Sequence, residues 1–323
     1  MLKRIHMLLA ALFLVAGLLA GCGNKDEPKN ENAEPKTTDE AKETGFPITI
    51  KDGVDKEVTI EKKPERIVSL IPSNTEIVYA IGAGNEVVGV HEKDNYPEEA
   101  AKKEKVAGME LNVEKIISLE PDLVLAHGSG MDVWEGGLKQ LEESGVTVLV
   151  VHNAQSFSDT YETIEMIGKA TGHEKEAEEV VQEMKSKLEE IKEKAEKIQE
   201  EEKKSVFVEL SPPPEMYAAG KNTFMDEMLA IINAKNAVEE EGWPKMNEEA
   251  IIAMNPDVII VNYSYVENAT DAVMARNGWQ DMNAVKEERV IAVNEDLVSR
   301  SGPRLAEGVE ELAKAVYPDV FKE

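Results

Sequence analysis

The sequence of 323 residues is poor in cysteine and aromatic residues, and it has far less basic than acidic charge. A single cysteine excludes a disulfide within the chain. Aromatic residues make up 5%, and 36 Lys and Arg residues stand against 64 Asp and Glu residues, for a net charge of −28. Nucleic-acid binding needs clustered Lys and Arg. We therefore expect no nucleic-acid partner, and no attachment to an anionic membrane by charge alone.

Common motifs of catalysis and cofactor binding are also missing. The sequence contains no G-x-G-x-x-G, no Walker loop and no G-x-S-x-G, and it offers no cysteine as a nucleophile. We therefore expect no enzymatic activity and no cofactor. Asp–His pairs leave a two-lobed chelatase-like enzyme open as an alternative, which product turnover would reveal.

The chain opens with a short basic start and one apolar run that ends at small residues. Lys3 and Arg4 precede IHMLLAALFLVAGLLAG, which has the length and flanks of a secretory signal, predicted over residues 1–21. Cys22 follows directly and is predicted to be the lipidated first residue; an ordinary signal with an incidental cysteine is the alternative. Residues 22–45 are rich in charge, Pro and Asn, which predicts a disordered tether.

From Phe46 onward, β-branched apolar runs alternate with helical segments through short links. The runs IVSLI, EVVGV, LVLAH and VTVLVV read as strands in the first half, and SVFVEL, DVIIV and VIAV in the second. This alternation is typical of parallel sheets with helices on both faces. We expect a polar hairpin first, Ser73 or Asn74 as cap of the first helix, and a closing helix with Pro303 in its first turn.

Residues 173–203 are charged except for one apolar stripe. Its members recur three or four positions apart, at Val181, Met184, Leu188, Ile191, Ala195 and Ile198. We predict a linking helix over 173–203 between an N-terminal lobe at 46–172 and a C-terminal lobe at 204–323. The predicted fold is α/β, with two Rossmann-like lobes containing central parallel sheets and joined by a single long α-helix. A coiled-coil seam for oligomerisation is the alternative to a monomer.

One stretch of sequence occurs twice. NVEKIISLEPDLVLA at 112–126 returns as NEEAIIAMNPDVIIV at 247–261, with six of fifteen positions identical. We interpret each copy as an Asn-capped helix, a Pro-Asp turn and a buried strand, in equivalent places of the two lobes. Ligands of open α/β sheets bind beyond the carboxyl ends of the strands, so a ligand cleft is expected between the lobes.

From Phe46 to its end, the sequence resembles the class III substrate-binding proteins of ABC importers, which carry iron chelates, haem or cobalamin. The resemblance rests on ERIVSLIPSNTEIVYAIGAG, DNYPEEAAKKEKVAG, LNVEKIISLEPDLVLA, EEGWPKMNEEAIIAMNPDVIIV and SRSGPRLAEGVEEL. The patterns NTE, DNYP, GWP and R-x-x-P-R are most similar to cobalamin-binding members. The resemblance implies a monomeric, lipid-anchored receptor outside the cell membrane that delivers cobalamin, or a ferric siderophore, to an ABC permease and its ATPase.

The resemblance also implies how the receptor meets its permease. Each lobe of such proteins presents one surface glutamate to an arginine pocket, and the matching positions are Glu114 and Glu249, with Glu248 as an adjacent candidate. An acid in the first helical turn also interacts favourably with the helix dipole, which is the alternative reason for both. The shared register in the two lobes favours docking.

Candidate ligand-binding residues lie just beyond predicted strand ends. Those that match ligand-facing positions of cobalamin binders are Tyr217, Asp296 and Arg300. Those in the first lobe are Lys93, Met109, His127 and Trp134. The first lobe therefore lacks part of the aromatic box expected for a corrin ring.

Three histidines support a rival interpretation. His91, His127 and His152 each follow a strand, and converging imidazoles could ligate a bare metal or haem iron. The sequence has no CxxC or HxxxH and its motifs are those of the chelate group, so haem and bare metal remain the alternatives.

A single linking helix also predicts a small closure of the lobes on ligand binding.

Overall fold

The computed structural model describes residues 45–322. The predicted signal peptide, the predicted lipidation site Cys22 and the predicted tether up to residue 44 lie outside the described residues. Within residues 45–322, none of the helices combines the length and hydropathy that a membrane crossing requires.

The first lobe is built on a parallel sheet, preceded by an antiparallel hairpin of β1 (Ile48–Lys51) and β2 (Glu57–Ile60). The sheet has five strands in the order β5-β4-β3-β6-β7. Its strands are β3 (Ile67–Ser69), β4 (Val87–His91), β5 (Glu104–Ala107), β6 (Leu123–His127) and β7 (Thr147–Val151). The helices of this lobe are α1 (Pro72–Ala80), α2 (Glu98–Ala101), α3 (Val113–Ser118), α4 (Met131–Glu143) and α5 (Phe157–Thr171).

One long helix, α6 (Glu174–Ala195), links this lobe to the next. Its first turn carries Glu174 and Glu176, and its last carries Lys192 and Lys194, the charge order that favours the helix dipole. It ends earlier than the predicted 203, and a short 3-10 turn follows at Glu200–Glu202. The six residues of the apolar stripe are all buried, against α5 and the helices of the second lobe, so the stripe packs within the chain.

The second lobe repeats the plan of the first. Its parallel sheet has four strands in the order β11-β10-β8-β9. The strands are β8 (Ser205–Glu209), β9 (Lys235–Asn236), β10 (Val258–Val261) and β11 (Val290–Ala292). The helices are α7 (Phe224–Ile231), α8 (Glu248–Met254), α9 (Ala269–Met274), α10 (Asn283–Lys286), α11 (Glu295–Ser299) and α12 (Leu305–Val316). The predicted fold class is therefore confirmed.

The repeated stretch forms the same unit in both lobes. Asn112 and Asn247 accept hydrogen bonds from the backbone N–H three residues later, at 3.0 and 2.8 Å, and so cap α3 and α8. Asp122 accepts hydrogen bonds from two backbone N–H groups just before β3, and Asp257 accepts one from the first residue of β8. The repeat thus marks two equivalent structural units.

Two local predictions need correction, and two edge strands were missed. Helix α1 begins at Pro72, whose position at the first turn needs no N–H partner, so neither Ser73 nor Asn74 caps it. Pro303 precedes α12 instead of lying in its first turn. The edge strands β5 and β9 were not predicted, because the first has two exposed charged residues and the second spans only two residues.

Candidate functional site

A cavity of about 540 Å³ lies between the lobes. The carboxyl ends of parallel strands converge there, as expected for open α/β sheets. His127 ends β6, Asn153 follows β7 and Asn262 follows β10, so each strand end places one polar side chain at the cavity. The volume lies within the range of roughly 300–1,000 Å³ that is common for small-molecule sites.

The polar lining of this cavity is almost entirely neutral. Hydroxyls and amides supply it, from Ser73, Ser129, Asn153, Gln155, Asn262, Ser299 and Ser301. Asn262 is 5% exposed and donates through Nδ2 to Ser299 Oγ at 2.9 Å. Its Oδ1 atom has no partner among the described residues. Because buried polar atoms are nearly always hydrogen-bonded, this oxygen is an acceptor available to a donor from a ligand.

Apolar side chains form another part of the lining. The rings of Phe224 and Trp243 lie 5.5 Å apart and tilted by 58°, beside Leu210 and Met225. Trp243 Nε1 donates to Gln155 Oε1 at 3.3 Å, across the gap between the lobes. The cavity therefore combines an aromatic wall with neutral hydrogen-bonding groups.

Arg300 is the one charged side chain that lines this cavity among the described residues. Its Nη1 lies 2.7 Å from Glu76 Oε1, and its Nη2 lies 2.6 Å from Asp296 Oδ1. Arg304 donates to the Glu76 carboxylate through Nε and Nη2, at 2.9 and 2.7 Å. We call Glu76, Asp296, Arg300 and Arg304 the interlobe ion cluster; its two acids and two bases balance.

The loop after β4 holds this cluster from the side of the first lobe. Asn95 donates to Asp296 Oδ2 at 2.7 Å and accepts from Arg300 Nη1 at 2.9 Å. The Arg304 guanidinium lies 3.8 Å above the ring of Tyr96. Asp94 is buried in the same loop and accepts from the backbone N–H of the last residue of β4; burial raises the pKa of its carboxyl to about 6.

His127 is the sequence-predicted residue that reaches deepest into the site. Its side chain is 4% exposed, and burial lowers the pKa of its imidazole to about 4, so the ring is neutral at physiological pH. The backbone N–H of Ser129 donates to Nδ1 at 3.2 Å, and Ser129 Oγ lies 2.8 Å from the same nitrogen.

The structure places the other candidate ligand residues apart from this cavity, except Arg300. Lys93 contributes its backbone carbonyl, which accepts from Arg300 Nη2 at 3.3 Å. Met109 is 87% exposed, and Tyr217 is also exposed. Trp134 is buried in the core of the first lobe, with its ring 6.3 Å from that of His91. The sequence-based reasoning missed Glu76, Asn95, Asn153, Gln155, Asn262 and Trp243, although NTE, DNYP and GWP had pointed to three of them.

The three histidines of the rival interpretation do not share the cavity. His127 lines it, whereas His91 and His152 do not. In residues 45–322, no group of three or more His, Cys, Asp or Glu side chains is arranged to hold a metal ion.

Glu114 and Glu249 occupy the same position in their helices. Each is the second residue of its helix, α3 or α8, and each is exposed. Neither forms an ion pair with a described residue. A shallow cavity lined by Glu114, Val133 and Trp134 adjoins the first of them.

The family model described as periplasmic binding protein matches residues 67–297, which cover both lobes and the linking helix. The chain belongs to the periplasmic binding protein family. Proteins of this family are substrate-binding transport proteins, so the chain is a binding protein and not an enzyme.

The names of individual similar proteins are consistent with this family. An ABC transporter substrate-binding lipoprotein, YvrC of Bacillus subtilis, is 53% identical over 315 residues, covering 97% of this chain and 98% of the relative. A vitamin B12-binding protein of Pectobacterium carotovorum is 28% identical over 245 residues, covering 75% and 84%. The solved structure of a possible iron-binding protein from Staphylococcus epidermidis has a TM-score of 0.72 and 40% identity, covering 79% of this chain and all of that one.

Proposed function

We propose that the protein is the substrate-binding receptor of an ABC importer, and that it binds a metal chelate with a neutral, amide-rich periphery, cobalamin above all. The observation that carries the proposal is the neutral polar lining of the interlobe cavity. Cobalamin presents a corrin ring rimmed with primary amides, which match hydroxyl and amide partners. The wall formed by Phe224 and Trp243 suits the apolar face of the ring.

The interlobe ion cluster argues against anionic ligands. Haem carries propionates, and many siderophores carry carboxylates or catecholates, which require unpaired cationic groups in the site. The guanidinium of Arg300 is already occupied by Glu76 and Asp296. The cluster has no net charge, so an anionic ligand would have to break these contacts to gain a cationic partner.

Two relatives support different metal chelates as the ligand. The Pectobacterium relative is named as a vitamin B12-binding protein, which supports cobalamin. The Staphylococcus structure is named as possibly iron-binding and is more similar in sequence, which supports a ferric siderophore as the second candidate. A ferric hydroxamate is the siderophore class that the neutral lining would accept.

A titration of the purified protein tests the ligand. Tryptophan fluorescence is followed during addition of cyanocobalamin, a ferric trihydroxamate, haem or zinc ion. Trp243 lines the cavity, so a ligand that enters should quench it. We expect saturation by cyanocobalamin at a ratio of one to one. Saturation by haem or zinc alone would contradict the proposal. Trp243→Phe is the control: quenching should fall while absorbance after ultrafiltration still reports bound ligand.

We further propose that Glu114 and Glu249 dock on arginine pockets of the permease. Their equal register, exposure and lack of ion pairs in the described part of the chain support two equivalent contacts. Charge pairs at an interface matter most when one partner is left unpaired, at a cost that can reach about 2–5 kcal/mol. Glu114→Lys with Glu249→Lys should therefore reduce uptake into cells while ligand affinity stays unchanged. Normal uptake by the double variant would return both residues to a role in helix stability. Glu193→Lys, at an exposed position of the linking helix, is the matched control.

Membrane attachment through Cys22 completes the proposal. The YvrC relative is named a lipoprotein and aligns over 97% of this chain. Replacing Cys22 with Ser should release the protein from the membrane fraction, which a fractionation of cells measures. Unchanged membrane association of that variant would argue against a lipid anchor at this residue.

A further inference from the structure

The nitrogen atoms of His127 have different surroundings. Nδ1 lies 3.2 Å from the backbone nitrogen of Ser129 and 2.8 Å from Ser129 Oγ. Nε2 has no hydrogen-bond partner among the described residues. It is absent from the set of fully buried atoms that lack a partner there, so part of its surface is accessible. The ring itself lines the interlobe cavity, so Nε2 is the nitrogen available to whatever the cavity contains.

The contact with Ser129 determines where the ring carries its proton. A backbone N–H can only donate, so Nδ1 must accept. A neutral imidazole that accepts at Nδ1 has its proton on Nε2. The ring is neutral because burial lowers the pKa of His127 to about 4. The one charged side chain lining the same cavity in the described residues, Arg300, is paired with Glu76 and Asp296.

We infer that His127 is a specificity-determining residue that donates its Nε2–H to an oxygen of the bound ligand, and that it does not ligate a metal. In a cobalamin-type ligand the acceptor would be an amide carbonyl. Metal ligation through Nε2 needs a free lone pair on that atom, which this tautomer lacks. The identity of the acceptor rests on the proposed function; the tautomer does not.

A nuclear magnetic resonance experiment tests the tautomer without any ligand. Multiple-bond correlations between ring protons and ¹⁵N distinguish a protonated from an unprotonated nitrogen in each histidine, and His127→Gln assigns the signals. We expect the proton on Nε2 near neutral pH. A proton on Nδ1 would overturn the inference whichever ligand the protein binds, so this outcome is separate from the fate of the proposed function.

Two substitutions test the donor. The side-chain amide of asparagine lies near the position of Nδ1, and that of glutamine lies near Nε2. We expect His127→Asn to weaken binding of cyanocobalamin about tenfold, the loss typical of one hydrogen bond. His127→Gln should recover most of this loss. Equal affinity of both variants and the wild type would overturn the inference. His173→Asn, away from the cavity, controls for the loss of a histidine, and thermal unfolding of each variant controls for folding.

A pair of corrinoids separates donation from metal ligation. Aquocobalamin has an exchangeable water on cobalt, which an imidazole can replace with a change in the visible spectrum. In cyanocobalamin, cyanide occupies that position. We expect equal affinities and an unchanged aquocobalamin spectrum. Tighter binding of aquocobalamin with a spectral change that disappears in His127→Gln would show ligation instead. If the wild type binds neither corrinoid, the proposed ligand fails, and the same variants are compared with a ferric trihydroxamate.

Discussion

Replacing Glu76 with glutamine would remove the carboxylate that joins both arginines of the second lobe to the first. Glu76 is 3% exposed and lies within 2.7 Å of both Arg300 and Arg304. In the variant, two guanidinium groups would share Asp296 as their remaining acidic partner in the interlobe ion cluster. The substitution keeps the size of the side chain, so the change is one of charge.

The expected loss follows from the burial of the pair. Removing one partner of a buried ion pair costs about 3–5 kcal/mol, because the other charge stays buried without compensation. The side chains of Arg300 and Arg304 keep 12% and 14% exposure, so water partly solvates them. We therefore expect the lower end, about 3 kcal/mol of unfolding free energy.

Urea unfolding at pH 7 measures this loss as a lower midpoint with an unchanged slope. The control is Glu215→Gln, which removes an exposed ion pair with Lys245 and should leave the midpoint almost unchanged. Equal midpoints for the two variants would refute the reasoning. The variant should also gain affinity for haem relative to cyanocobalamin, because the cluster gains one positive charge next to the cavity.

Two further predictions concern pH and packing. Burial raises the pKa of Asp94 to about 6, so ionisation of this carboxyl lowers the unfolding free energy as pH rises from 4 to 6. Burial lowers the pKa of His127 to about 4, so this histidine lowers the unfolding free energy as pH falls from 6.5 to 4. Each effect is about 3 kcal/mol, and the two have opposite pH dependence. Asp94→Asn leaves the histidine effect and should make the protein less stable in acid, whereas His127→Gln leaves the carboxyl effect and should make it more stable in acid. Urea midpoints at pH 4.5 and 7 that match the wild type would contradict this. A Cβ on Gly168 would meet Ala177 Cβ of the linking helix at 2.4 Å, so Gly168→Ala should lower the unfolding free energy by about 1–3 kcal/mol. Gly136 has open space around it, so Gly136→Ala should raise stability slightly. Equal melting temperatures of the two variants would count against the close approach.

The fold was predictable because its central strands are continuous apolar runs. Strands β6 and β10 are buried along their whole length, which removes the alternation of polar residues and leaves an unmistakable pattern. The edge strand β5 escaped prediction because half of its residues are exposed and charged. The apolar stripe of α6 predicted a packed helix, but only the structure shows that the stripe is covered by the same chain.

The site was predictable in place but not in detail. The rule that ligands bind at strand ends led to His152, one residue away from the lining residue Asn153, because successive side chains point in opposite directions. Trp134 shares one helical face with Leu138 and Leu141, and this spacing places it in the core.

The partner of Arg300 illustrates a different limit. The charge and position of this residue were evident from the sequence, but Glu76, one of the two acids that pair with it, lies 224 positions earlier in the chain. Such long-range pairing depends on how the two lobes meet, which no local pattern encodes.

One measurement tests the central claim that the cavity selects a neutral, amide-rich chelate. Isothermal titration compares cyanocobalamin with its monocarboxylate derivative, in which one amide of the corrin rim has been hydrolysed. The two ligands share ring, metal and shape and differ by one negative charge. We predict one-to-one binding of cyanocobalamin and binding of the carboxylate that is weaker by about tenfold, since one hydrogen bond of the neutral lining would be lost. Tighter binding of the carboxylate, or no binding of cyanocobalamin, would contradict the claim.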